Sequence, residues 1–163
     1  MSEPKQIEID INPQLLEGML LRLEHTKWPP TIGEDSWDYG VPKHWMQDMV
    51  NYWTSEWKWE NVAAQINEWK HFSVTIDQVP IHYLHAPGKG PNPKPLVLTH
   101  GWPWTFWDFK DVIGPLSDPE KYGGDPMDSF DVYVPSLPGF IFSSPLTKAC
   151  LLYTSPSPRD GLL

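Results

Sequence analysis

Four consecutive residues near the middle of the chain are suited to forming a ligand site. They are His100, Gly101, Trp102 and Pro103, and they follow the apolar residues 96–98. A short apolar run of this kind predicts a fully buried strand. The strand must end at the four residues, because Gly101 allows unusual backbone angles and Pro103 cannot continue a strand. The sequence therefore predicts a tight turn directly after a strand.

A helix is predicted just beyond this turn. The side chain of Thr105 is suited to capping it, and Asp108 can complete a capping box. Four apolar side chains then fall on one helix face: Phe106, Phe109, Ile113 and Leu116. Strand, tight turn and helix form the unit from which parallel sheets are built, and ligands bind at the turn after the strand. We therefore expect an α/β fold with a binding site at residues 100–103.

Three further histidines are candidates for a metal site: His71, His82 and His85. His82 and His85 are three positions apart, which places them on opposite faces of a strand. No cysteine or carboxylate cluster accompanies the three histidines, although metal sites commonly draw on such ligands. We therefore expect ordinary solvated histidines and no metal.

Charge and composition exclude several classes of function. The chain has 163 residues, a net charge of −9 and 40% apolar residues, enough for a hydrophobic core. Its negative charge argues against binding to nucleic acid or to anionic membrane surfaces, because both would repel it. The single cysteine, Cys150, permits no internal disulfide and favours a reducing compartment. The sequence shows no signal peptide and no apolar run long enough to span a bilayer, so we expect a cytoplasmic protein.

The N-terminal region is predicted to contain three helices. Asn12 and Pro13 favour a helix start, and apolar residues at helical spacing continue to about Glu24. Pro42 opens a second helix, and a short third helix carries Trp59, Ala63 and Ile66. Most of the ten tryptophans lie in this region. They form either an aromatic binding platform or a surface that packs against the neighbouring domain, and their size favours packing.

Alternating apolar residues predict strands after residue 70. Two alternating runs, residues 72–76 and 81–86, are separated by a turn at Asp77 and Gln78, which predicts a β-hairpin. The type of turn stays open, because Gln78 is not a usual turn residue. A further strand is predicted over residues 130–134, after a polar loop over residues 117–129.

The residues of the turn resemble a known family. His100-Gly101-Trp102-Pro103 after an apolar strand is similar to the oxyanion-hole turn of epoxide hydrolases with the α/β-hydrolase fold. Further motifs resemble epoxide hydrolases of the microsomal and juvenile-hormone type, in the family's order over residues 7–146. These motifs are Leu21-Arg22-Leu23, Thr26-Lys27-Trp28-Pro29, Trp37-Asp38-Tyr39-Gly40-Val41-Pro42, Tyr52-Trp53 and Pro135-Ser136-Leu137-Pro138-Gly139-Phe140.

The resemblance implies how the chain is organised. Residues 1–70 would form the helical N-terminal region, and residues 71–147 the first strands and helix of an incomplete α/β-hydrolase sheet. Residues 148–163 fit no part of the family pattern, so we expect a foreign or frame-shifted tail. A genuine disordered tail rich in serine and proline is the alternative. Ile141 stands where the family has glycine, and a β-branched residue tolerates positive φ poorly.

The resemblance also implies roles for the residues of the turn. In the family, an aspartate attacks an epoxide carbon and forms an ester, while lid tyrosines protonate the epoxide oxygen. A histidine–carboxylate pair then activates water, which hydrolyses the ester. The backbone N–H of Trp102 would hold the charge that develops on the ester oxygen, and His100, Gly101 and Pro103 would shape the turn. The substrate would be a small-molecule epoxide, with no cofactor and no metal.

The nucleophile, the catalytic base and the lid tyrosines are not found in the 163 residues. Gly123-Gly124-Asp125-Pro126 superficially resembles the nucleophile turn, but no apolar strand precedes it and Pro126 has no N–H to donate. We therefore expect an inactive N-terminal part of an epoxide hydrolase. The alternatives are another α/β-hydrolase, such as a dehalogenase, and a non-catalytic, tryptophan-rich binding or assembly module. Such a module would be monodisperse, whereas an incomplete sheet should aggregate.

Overall fold

The computed structural model describes residues 2–31 and 35–146, so the predicted tail at residues 148–163 lies outside the described residues. The chain divides into two units. Residues 9–65 form a helical unit, and the segments before and after it in the sequence form a second unit built on a β-sheet.

Three helices lie in the described part of the N-terminal region, as the sequence predicts. They are α1 (Pro13–Glu24), α2 (Lys43–Ser55) and α3 (Trp59–Ile66). Helix α1 begins where expected, because the side chain of Asn12 accepts a hydrogen bond of 2.9 Å from the backbone N–H of Gln14. The described residues contain no helix with both the length and the apolar character needed to cross a lipid bilayer.

The start of α2 depends on a residue that the sequence analysis did not identify. Pro42 precedes the helix, as predicted, but provides no capping side chain. The carboxylate of Asp35 takes that role and accepts hydrogen bonds from the backbone N–H groups of Lys43, at 2.6 Å, and His44, at 3.0 Å. Its side-chain hydrogen bond with His44 is the main reason that the pKa of Asp35 lies below its usual value.

Within the described residues, five strands form the sheet, in the order β1-β2-β3-β5-β4. They are β1 (Lys5–Ile7), β2 (Lys70–Ile76), β3 (Val79–Ala86), β4 (Lys94–Val97) and β5 (Phe130–Pro135). Strands β4 and β5 are parallel, and the other neighbours are antiparallel. A fourth helix, α4 (Lys110–Ser117), packs against β5 and β3. The architecture is the predicted partial α/β fold, with β1 as an unpredicted additional strand.

The hairpin between β2 and β3 turns at Asp77 and Gln78, as predicted. The two residues have φ angles of 49° and 69°. Positive φ at both central residues defines a type I′ turn, whose twist matches that of the flanking strands. The structure thus gives the turn type that the sequence left open.

The prediction that residues 96–98 form a fully buried strand is wrong. The strand is present as β4, but it lies at the edge of the sheet and the side chain of Val97 is 60% exposed. Among the described strands, β4 pairs only with β5, because β5 lies between β3 and β4. An apolar run shows that a strand forms but does not show its position in the sheet.

One face of the sheet forms the core of the second unit. Leu84 lies opposite Val134 and Ala86 lies opposite Val132, and all four side chains are at most 2% exposed. Phe106 and Ile113, which follow the predicted turn, are equally buried. The turn at residues 100–103 is therefore held between a strand of the sheet and a helix anchored in the core.

Candidate active site

The turn at residues 100–103 lies just beyond the C-terminal end of β4. The peptide bond between Trp102 and Pro103 is cis, and the side chain of Trp102 is 83% exposed. Within the part of the chain that the structure describes, the backbone N–H of Trp102 has no hydrogen-bond acceptor. A backbone donor without a protein partner at the end of a parallel strand is suited to holding an anionic oxygen.

His100 connects this turn to the loop that follows β5. Its ring is buried, with Nδ1 3.0 Å from the carbonyl oxygen of Gly101. The backbone N–H of Leu137 donates a 3.0 Å hydrogen bond to Nε2 of the ring. Because Nε2 accepts this bond, a neutral ring carries its proton on Nδ1 and donates it to Gly101. Phe140 of the same loop packs edge-on against the ring, with centroids 5.0 Å apart.

The helix after the turn begins with the predicted capping box. The backbone N–H of Thr105 donates to the carboxylate of Asp108 at 2.7 Å, and the Thr105 hydroxyl accepts from the N–H of Trp107 at 3.2 Å. The first turn, Phe106–Phe109, is a 3-10 helix, and α4 continues directly from it. The segment that leads from the turn into α4 is therefore fixed by hydrogen bonds.

An open depression of about 260 Å³ lies beside the turn. Its walls come from the end of β4, from the turn and from the first turn of the following helix. The lining residues are Thr99, His100, Gly101, Trp104, Asp108 and Phe109. The indole of Trp104 lines the depression, whereas that of Trp102 does not.

A model of the family described as "Epoxide hydrolase N terminus" matches residues 4–109. This stretch includes the helical unit, the turn and the capping box, and it makes up more than half of the chain. The chain belongs to the epoxide hydrolase N-terminus family. The resemblance noted from the sequence is thereby confirmed.

Curated relatives of this epoxide hydrolase N-terminus chain are themselves named epoxide hydrolases. A putative epoxide hydrolase of Stigmatella aurantiaca is 37% identical over 141 residues, which are 86% of this chain and 32% of the relative. Epoxide hydrolase 1 of Oryctolagus cuniculus is 27% identical over 150 residues, 88% of this chain and 32% of the relative. Juvenile hormone epoxide hydrolase 1 of Ctenocephalides felis is 29% identical over 147 residues, which are 88% of this chain and 31% of the relative. The chain thus spans about a third of the length of these relatives.

Solved epoxide hydrolase structures share the fold. The Aspergillus niger epoxide hydrolase superposes with a TM-score of 0.76 at 27% identity, over 90% of this chain and 39% of that one. The juvenile hormone epoxide hydrolase of Bombyx mori superposes with a TM-score of 0.77 over 93% of this chain and 40% of that one. Its sequence identity is 24%, so this similarity concerns the fold alone.

The prediction of solvated histidines is wrong for two of the three. His71 and His82 are 1% and 0% exposed, and His71 Nδ1 lies 2.9 Å from His82 Nε2. Burial lowers the pKa of His71, and burial together with the neighbouring His71 lowers the pKa of His82 to about 3. Among the described residues, no group of three or more histidine, cysteine or carboxylate side chains is arranged to bind a metal ion. The two rings therefore form an uncharged buried pair.

His85 lies on the opposite face of the sheet, as its spacing from His82 predicts, and contacts Asp131. Its Nε2 is 2.9 Å from one carboxylate oxygen, and the hydroxyl of Tyr133 donates to the other at 2.8 Å. Partial burial would raise the pKa of Asp131, but the hydrogen bonds from His85 and Tyr133 outweigh it and hold the pKa below its usual value. Asp131 lies opposite Pro95 in the sheet, and Pro95 precedes His100 by five residues. Five residues of extended strand span on the order of 15 Å. This pair is therefore remote from the turn.

Asp125 does not lie in a nucleophile turn. Its side chain accepts a hydrogen bond of 2.8 Å from the backbone N–H of Met127 and caps the short 3-10 helix Pro126–Asp128. Another 3-10 helix, Pro119–Tyr122, lies in the same segment, for which the sequence predicts a polar loop. The 3-10 turns were missed because each is too short to show a periodic pattern.

Proposed function

We propose that this chain is the N-terminal part of an epoxide hydrolase and contributes the backbone N–H of Trp102 to the oxyanion hole. The observation that carries the proposal is the position of this donor, which lies at the C-terminal end of β4 and has no acceptor among the described residues. Membership of the epoxide hydrolase N-terminus family supports it. The substrate is a small-molecule epoxide, and a cytoplasmic location stays a prediction from the sequence.

The complete enzyme would add water to the epoxide in two steps. An aspartate carboxylate forms a bond to one epoxide carbon while the carbon–oxygen bond breaks and the ring oxygen takes a proton from a tyrosine. Water then gives a proton to a histidine and attacks the carbonyl carbon of the resulting ester, whose bond to the diol oxygen breaks. The diol leaves with the proton of the newly formed carboxyl group, and the proton on the histidine returns to the tyrosinate. The carbonyl oxygen becomes negative in the second step, and the N–H of Trp102 would stabilise it there. The aspartate, the tyrosines and the histidine are not supplied by this chain.

The other residues of the turn would fix the direction of this donor. His100 donates to the carbonyl of Gly101, and this hydrogen bond fixes the orientation of the peptide unit between Gly101 and Trp102. Pro103 follows Trp102 directly and has no N–H that could compete for the oxyanion. These roles assign His100, Gly101 and Pro103 to turn shaping and Trp102 to charge stabilisation.

The proposal predicts that the chain alone does not hydrolyse styrene oxide. Activity should appear when residues 1–146 are joined to the complementary C-terminal portion of the Stigmatella aurantiaca relative. The measurement is diol formation by the purified chain and by the chimera. Turnover of styrene oxide by the 163-residue chain alone would overturn the prediction of inactivity, and a folded but inactive chimera would overturn the assignment to an epoxide hydrolase.

Replacement of the donor provides a sharper test in the same chimera. Trp102→Pro removes the backbone N–H and should lower kcat by a factor of about 10²–10³, the usual cost of losing one oxyanion-hole donor. Trp102→Phe keeps the N–H and removes only the indole, so it is the matched control and should retain most of kcat. Equal losses in the two variants would show that the side chain, and not the backbone donor, carries the function.

A further inference from the structure

A continuous series of hydrogen bonds runs through the core of the sheet unit from the backbone of Ile66 to the loop after β5. Its members are the carbonyl of Ile66, the rings of His71 and His82, and the hydroxyl of Ser136. The three successive heavy-atom distances are 2.9, 2.9 and 2.8 Å. His71, His82 and Ser136 are all at most 1% exposed. Polar groups so deeply buried are stable only when each donor meets an acceptor.

The acceptor at one end determines where every proton lies. The carbonyl of Ile66 can only accept, so Nε2 of His71 must carry a proton and Nδ1 of the neutral ring must be bare. Nδ1 of His71 then accepts the proton on Nε2 of His82, which leaves Nδ1 of His82 bare. That nitrogen accepts from the hydroxyl of Ser136. The series therefore has one direction and one pair of tautomers.

His82 holds the loop after β5 at a second point through its backbone. Its N–H donates to the hydroxyl oxygen of Ser143 at 2.9 Å, and that hydroxyl donates to the carbonyl of Ser136 at 2.7 Å. The backbone N–H of Ser136 in turn donates to the carbonyl of His82 at 2.9 Å. The ring of His82 also packs edge-on against Phe142, with centroids 5.2 Å apart. Both ends of residues 136–143 are thus anchored to one residue of β3.

The same loop carries the hydrogen-bond donor that orients His100. Leu137 follows Ser136 directly, and its N–H is the group that donates to Nε2 of His100. Phe140, which packs on the His100 ring, lies between the two serines in the sequence. Any displacement of Ser136 would therefore move the partner of His100, and with it the turn that presents Trp102.

We propose that His82, Ser136 and Ser143 are positioning residues for the oxyanion-hole turn, acting on it through Leu137 and His100. This inference rests on the proposed function of the turn, because positioning has meaning only if the N–H of Trp102 holds an oxyanion. The physical coupling itself is a property of the present chain and does not need the rest of the enzyme.

The first test uses the unaltered chain. Ring ¹⁵N spectra of the six histidines distinguish protonated from bare nitrogens. Magic-angle-spinning NMR is chosen because it tolerates self-association. We expect protons on Nε2 of His71 and His82 and on Nδ1 of His100. A proton on Nδ1 of His82 would overturn the proposed series, and a proton on Nε2 of His100 at neutral pH would overturn the proposed link from Leu137 to the turn.

The second test removes the hydroxyl that links the series to the loop. Ser136→Ala should move the Nδ1 resonance of His82 and also the Nε2 resonance of His100, toward the value of a nitrogen that accepts no hydrogen bond. Ser117→Ala is the matched control, because Ser117 is equally buried but bonds to the carbonyl of Ile113 inside α4. It should leave both resonances in place even if it lowers stability.

The Nε2 resonance of His100 in the Ser136→Ala variant shows whether Ser136 positions the turn or only stabilises the core. If Ser136→Ala shifts His82 and leaves His100 unchanged, the loop does not transmit the contact and the proposal fails. Should that variant not fold, Ser143→Ala removes the second anchor and is judged by the same resonance. Neither spectrum involves an epoxide, so failure here is separable from an inactive chimera, which would count against the proposed function instead.

Discussion

His71 and His82 are uncharged in the interior of the sheet unit. Burial lowers the pKa of both rings, and for His82 the adjacent His71 adds to the effect and brings the pKa to about 3. Each ring nitrogen also has a partner that matches the neutral form, so an added proton would meet another donor. The unfolded chain has no such restriction, and its histidines titrate near the ordinary value of about 6.5.

This difference predicts that the chain loses stability on mild acidification. Below a pH of about 6.5 the unfolded chain binds protons at these rings while the folded chain does not, which favours unfolding. The contribution is fully present above that pH and is lost as the pH falls toward the lowered pKa values of the folded state. For His82, whose pKa is lowered to about 3, the loss should be on the order of 1 kcal/mol per pH unit, and the lowered pKa of His71 adds to it in the same direction. Urea unfolding at about pH 7 and about pH 5 measures it.

Two variants identify the source of this pH dependence. His82→Gln should show a shallower dependence than the unaltered chain, because it removes one of the two rings. His25→Gln changes an exposed ring outside the pair and should keep the full dependence. A free energy of unfolding that is equal at the two pH values would show that the pair does not behave as an uncharged buried unit.

At the scale of the elements, local signals predicted helix starts well when the capping residue lies next to the helix. Asn12 before α1 and the box of Thr105 and Asp108 are of this kind. The cap of α2 was missed because Asp35 lies eight residues before Lys43 and reaches it only through the fold of the intervening chain. A cap of this kind has no signature at a fixed spacing in the sequence.

Removal of this cap should weaken α2. Asp35→Ala leaves the backbone N–H groups of Lys43 and His44 without their acceptor, so the melting temperature and the helical circular dichroism should both fall. Asp48→Ala removes an exposed carboxylate from the middle of the same helix and serves as the control. Since alanine favours helix, the control should not lose helicity. Identical melting curves for Asp35→Ala and the unaltered chain would refute the capping role.

The position of β4 could not be predicted from its apolar character. Residues 96–98 are as apolar as those of an interior strand, but β5 inserts between β3 and β4 and leaves β4 at the edge. The order of strands depends on long-range pairing, and no local pattern encodes it. An edge strand with exposed apolar side chains is a template for pairing with other chains.

This exposed edge predicts self-association that a single charge reduces. Val97→Lys places a charge on β4, where Val97 is 60% exposed, and should lower the mean particle size in light scattering. Val112→Lys adds the same charge at a 43% exposed position on α4, which is a helix and not an edge strand, and should have little effect. A monodisperse unaltered chain would contradict the expectation and favour a binding or assembly module.

At the scale of the whole molecule, the sequence predicted most of the regular elements and the family. The resemblance succeeded because its motifs are short segments in a fixed order, such as the turn at residues 100–103. It did not predict the buried pair of His71 and His82, because the rings meet only when β2 and β3 pair. The contact between Leu137 and His100 was likewise missed, although the motif at residues 135–140 contains one partner and the turn contains the other.

We propose that this chain carries one part of an epoxide hydrolase active site and that the nucleophile follows it in the complete enzyme. The decisive measurement is to read the coding sequence beyond the codon for Thr147 in the source DNA. We predict that the frame continues into an apolar strand followed by Gly-x-Asp-x-Gly, with lid tyrosines and a histidine further on. If the read confirms residues 148–163 and then a stop codon, no nucleophile follows the turn, and the claim is contradicted.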